Sequence, residues 1–82
     1  NGREAPVPPP RALVIRIPHD ADPDFKTRLL AALSYFGGSF PVRLFDEQKG
    51  ICMEEDIPSV DWNEETAGLL MAAFGDENFG YL

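Results

Sequence analysis

The chain has 82 residues, 44% hydrophobic and 26% charged, with a net charge of −7. That length sustains one small domain at most, and the composition is that of a globular chain, with no apolar run near the roughly 18 residues of a membrane helix. The charge is unevenly placed: after Phe45 ten acidic residues face a single base, Lys49. Such a surface repels phosphates and argues against direct binding of DNA or RNA.

Cys52 is the only cysteine. An intrachain disulfide and a cysteine zinc site are therefore both excluded, which fits a reducing, cytoplasmic compartment. The opening residues NGREAPVPPP lack the basic start and apolar stretch of a signal peptide. Residues 1–10 read as a proline-rich linker or a cloning remnant, with APVPPP as a stiff tether. A peptide for a proline-binding domain is the rival reading.

From residue 11 the pattern is that of a single domain running to Leu82. In RALVIRI, Leu13, Ile15 and Ile17 alternate with Ala12, Val14 and Arg16, which predicts a first strand ended by Pro18. Asp22 and Pro23 suit an N-cap and first helical position. Phe25, Leu29, Ala32, Leu33 and Phe36 then recur at helical spacing, and Gly37-Gly38 is expected to stop the helix.

FPVRLF returns to period two and predicts a second strand. DEQKG turns the chain, and ICME forms a third strand in a hairpin with the second. Asp61 with Glu64, or Asn63 alone, caps a second helix whose buried stripe is expected to be Leu69, Leu70, Ala73 and Phe74. Gly68 weakens that helix by about 1 kcal/mol relative to alanine. Gly75 ends it, and NFGYL is a fourth strand.

The element order strand, helix, strand, strand, helix, strand predicts an α+β fold, the ferredoxin-like split β-α-β arrangement. It has a four-stranded sheet with both helices on one face and with RALVIRI and ICME as the central strands.

No catalytic constellation is legible. His19 lies beside Asp20 and Asp22, but three polar neighbours in one turn do not converge as metal ligands must. No base accompanies Cys52, which reads as a small buried hydrophobe. In MEEDIP successive carboxylates point to opposite faces. The two strands expected at the centre lack the aromatics on which RNA-binding versions of the fold stack bases. The expectation is no enzyme activity in this segment, no catalytic residue, no metal and no cofactor.

In sequence, ALVIRIP, the helix ending in FGGSFPVRLF, the hairpin, and SVDWNEETAGLLMAAFGDENFGYL resemble the C-terminal domain of the bacterial replicative DNA polymerase III alpha subunit. Val60-Asp61, Leu69-Leu70 and Gly75-Asp76-Glu77-Asn78 stand where that family has a Val-Asp pair, a leucine-rich helix and a Gly-acidic-acidic-Asn turn. Trp62 departs from the family, which often has proline there, and so does Gly68.

The resemblance implies a bacterial cytoplasmic protein of DNA replication. Its parent chain would carry the polymerase carboxylates in a distant upstream domain, while this segment docks the polymerase to the tau subunit of the clamp loader. Aromatic residues often anchor interfaces. Trp62, Tyr81 and Leu82 are therefore expected to border the partner-binding surface, with Phe79 turned toward the core. The alternative is a small-molecule-binding regulatory domain of ferredoxin-like topology, with its ligand at a loop after the first strand or across a dimer interface. A structural domain without a partner is the third reading.

Overall fold

A computed structural model of the chain describes residues 11–82. The expected proline-rich linker lies outside the described residues. The elements are β1 (Leu13–Ile17), α1 (Phe25–Tyr35), β2 (Gly37–Phe40), β3 (Val42–Asp46), β4 (Ile51–Met53), α2 (Glu64–Phe74), a single 3-10 turn (Asp76–Asn78) and β5 (Phe79–Tyr81).

Four strands form one sheet in the order β4-β3-β1-β5. β1 and β3 run parallel with Ile15 opposite Leu44, while β4 and β5 are antiparallel edges, Cys52 opposite Phe45 and Phe79 opposite Ile15. The α+β class, the four-stranded sheet and the two helices match the sequence reading. The strand order does not.

The ferredoxin-like order would place ICME between the parallel partners. Instead β1 pairs directly with β3, and the ICM strand is pushed to the edge. Burial accounts for the choice: Leu13, Ile15, Val42 and Leu44 are buried, whereas Ile51 and Cys52 are exposed. The two strands with the most apolar surface to hide take the centre. Phe45 therefore sits in a central strand, so the argument that the central strands carry no aromatic does not hold.

Alternation along β1 and β3 sends Leu13, Ile15, Ile17, Val42 and Leu44 into one core with Leu29 and Leu33 of α1 and Leu70 and Phe74 of α2. Both helices thus cover the same face of the sheet. Phe25 of α1 meets Phe74 of α2 edge to face, with centroids 5.5 Å apart.

Local chemistry sets the helix ends. Asn63 caps α2, its side-chain oxygen accepting from the Thr66 N–H at 2.9 Å. Gly75 closes α2 with a left-handed φ of 89° and donates its N–H to the Met71 carbonyl, a conformation that glycine adopts without strain. α1 begins later than Asp22-Pro23 suggests: Asp24 is its N-cap residue and makes no side-chain capping bond. Asp22 and Asp24 turn to Arg28 instead, at 3.5 and 3.7 Å.

Gly37-Gly38 is not a flexible stop but the start of β2, outside the main sheet. Gly37 and Phe40 bridge to the fully buried Val60. The Gly38 N–H donates to the Ser59 carbonyl and the Asp61 N–H to the Phe36 carbonyl. These bonds hold the segment before α2 against the end of α1.

The buried stripe of α2 also differs from expectation. Thr66, Leu70 and Phe74 face inward, while Leu69 and Ala73 are exposed. Thr66 is also the residue whose backbone N–H the Asn63 cap satisfies.

Candidate functional site

β5 carries the first candidate site. Its register places Phe79 opposite Ile15 and Tyr81 opposite Leu13, and directly opposed residues in a ladder share a face. Phe79 and Tyr81 therefore both point to the helix side. Phe79 packs on the core, but Tyr81 lies at the strand end and is 54% exposed.

Trp62, in the turn before α2, joins them. Its ring stacks on Phe79 at 6.2 Å with an interplanar angle of 11° and meets Tyr81 edge-on at 6.4 Å. The indole N–H donates to the Tyr81 hydroxyl at 3.0 Å. Two partly buried rings and a half-exposed ring are thus fixed in a short stack.

Of the three residues expected at the partner surface, the fold brings Trp62 and Tyr81 into contact. Leu82 sits one residue beyond the strand and is 54% exposed. Its N–H donates to the Ala12 carbonyl and its carbonyl accepts from the Arg11 N–H. Exposed Asp61, Asn63, Glu64 and Glu65 adjoin Trp62 in sequence.

The His19 loop has a structural task. Glu47 accepts from the His19 backbone N–H at 3.0 Å, contacts its Nδ1 at 3.1 Å and pairs with Arg16 at 3.4 Å. The two bonds from His19, with help from Arg16, hold the Glu47 carboxyl below the usual carboxylate range. Gln48 completes the clasp by donating its side-chain amide to the His19 carbonyl. No group of three His, Cys, Asp or Glu residues positioned to hold a metal occurs among the described residues.

Arg16 also donates twice to the Asn78 side-chain oxygen, and Asn78 in turn donates to the Phe74 carbonyl. This network ties β1 to the end of α2. Cys52, read as a buried hydrophobe, is exposed, because its register opposite Phe45 places it on the sheet face that the helices leave uncovered.

A second candidate lies at the carboxyl ends of the parallel strands β1 and β3. Ile17, Ala21, Asp22, Lys26, Asp46 and Lys49 line a cavity of about 320 Å³, near the lower end of the range for small-ligand sites. Asp46 is only 8% exposed, and one of its carboxylate oxygens accepts the N–H groups of Gln48 and Lys49, pinning the hairpin turn. The sequence reading missed Lys26, Asp46 and Lys49. The available signal was their place at strand and helix ends, where parallel sheets collect ligands.

No family model, curated protein or solved structure matches this chain. Among the described residues no helix is long and apolar enough to cross a membrane.

Proposed function

We propose that this segment is a non-catalytic docking domain of a bacterial replicative DNA polymerase III alpha subunit, tethering the polymerase to the tau subunit of the clamp loader in the cytoplasm. The observation that supports this reading best is the ordered stack of Trp62, Phe79 and Tyr81, in which the outermost ring is half exposed while its hydroxyl is held by the indole. A pre-positioned aromatic loses little side-chain freedom when a partner covers it, which is the property of an interface anchor. The sequence resemblance supplies the identity of the partner. The acidic second half of the chain argues that the partner is protein and not DNA.

The Trp62→Ala/Tyr81→Ala variant tests the reading. Removing two anchors should weaken capture of purified tau about thirtyfold or more, the consequence of losing about 2 kcal/mol, while circular dichroism stays close to the wild-type spectrum. A folded double variant that captures tau with wild-type affinity would contradict the assignment.

The cavity beside the β1–α1 loop favours a second reading, a regulatory domain for a small ligand, because its wall combines Lys26 and Lys49 with the mostly buried Asp46. A saturable thermal shift with an amino acid or a nucleotide would favour this second reading over docking.

A further inference from the structure

The outer face of α2 is apolar where a solvent-facing helix would be polar. Leu69 is 52% exposed, and Gly68, Ala72 and Ala73 beside it are also exposed. Sequence periodicity alone would have buried Leu69. Nothing among the described residues packs over it.

Gly68 is a second, independent anomaly. A β-carbon added there would meet nothing within 4 Å, so no neighbour in the chain requires glycine. Its φ is not in the left-handed region, so backbone geometry does not require it either. Yet glycine weakens a helix interior. A missing side chain on an exposed face does allow another backbone to approach closely.

Charge narrows the occupant. Exposed Glu64 and Glu65 stand at the start of the helix, exposed Asp76 and Glu77 just beyond its end, and no Lys, Arg or His occurs anywhere after Lys49. The acidic groups bracket an 11-residue helix, about 16 Å long. Nucleic acid and anionic lipid are repelled by such a rim. A second copy would set its own acidic rim against this one.

We infer that the outer face of α2 docks a basic amphipathic helix of another protein, whose apolar stripe covers Leu69 and Ala72, whose backbone closes on Gly68, and whose flanking Lys or Arg residues pair with the acids at both ends. Gly68 and Ala72, four residues apart, leave a shallow groove beside the Leu69 ridge, and ridge-into-groove packing suits a helical partner. The inference does not depend on tau being that partner.

The test uses the full chain and two synthetic leucine–lysine peptides: one with leucines at i, i+3, i+4 and i+7, the other of the same composition in scrambled order. Fluorescence titration should give saturable 1:1 binding of the first and at least about tenfold weaker binding of the scrambled peptide. Gly68→Gln should raise the urea midpoint, because glutamine is the better helix former, and should weaken peptide binding about tenfold. Leu69→Ser should weaken binding without altering the circular dichroism spectrum. Equal binding of the two peptides, or undiminished binding by a folded Gly68→Gln variant, overturns the inference. So does a chain that sediments as a dimer which Leu69→Ser dissociates, since the occupant would then be a second copy.

Discussion

A chain ending at Asn78 should lose cooperative folding, although only four residues are removed. β5 lies along β1, and Phe79 packs against the core. Withdrawing that side chain costs about 2 kcal/mol. The backbone bonds lost with the strand, including those joining Leu82 to Ala12 and to Arg11, cost about 1 kcal/mol each. Leu13 and Ile15, both fully buried, would lose their neighbour on that edge of the sheet. Stability of roughly 0.05–0.15 kcal/mol per residue gives a domain of this size about 4–11 kcal/mol in total. The deletion removes a large share of it. Urea titration followed by circular dichroism should show a broad, early transition, whereas Tyr81→Ala should retain a sharp one. A truncated chain with the wild-type midpoint would mean that β5 is not integral to the sheet.

Gly38→Ala should be the most damaging single-methyl change in the domain. An added β-carbon would lie 2.5 Å from both the Cα and the N of Asp61, a separation that side-chain adjustment cannot relieve because both atoms are backbone. Either β2 withdraws from Val60, or the segment before α2 is displaced with Trp62 attached to it. Overpacking of this kind costs about 3 kcal/mol, which is a large fraction of the total. Gly80→Ala is the matched comparison, since its β-carbon would meet nothing within 4 Å. The urea midpoint of Gly38→Ala should fall well below that of Gly80→Ala. Coincident midpoints would show that β2 and the segment before α2 are not tightly packed.

These two sites illustrate what the sequence can and cannot specify. Period-two alternation in RALVIRI and FPVRLF made both strands legible, and helical spacing of Leu29 and Leu33, and of Leu70 and Phe74, made both helices legible. The turn chemistry of DEQKG announced the hairpin. Strand order was a different matter, because alternation says which face is buried but not which strand lies beside which. A cue lay in length: ICME offers four residues to a strand, while FPVRLF offers six.

The two glycines at 37 and 38 were misread for a related reason. Glycine after a helix signals either a left-handed cap or a close approach, and the approach that operates here is to Asp61, distant in sequence. The site was legible in part. Trp62 and Tyr81 were separately recognisable as amphipathic aromatics, but the hydrogen bond between them spans 19 positions and exists only because β5 pairs with β1. The exposure of Leu69 could not be foreseen from periodicity, since Leu69 and Leu70 are adjacent and a stripe through Thr66 competes poorly on hydrophobicity alone.

Docking is the central claim, and calorimetric titration of the purified chain into purified tau subunit tests it most directly. Saturable 1:1 binding is the expected result, lost in the Trp62→Ala/Tyr81→Ala variant while that variant remains folded. Absence of binding, under conditions in which the same tau preparation binds an intact bacterial polymerase III alpha subunit, would contradict it.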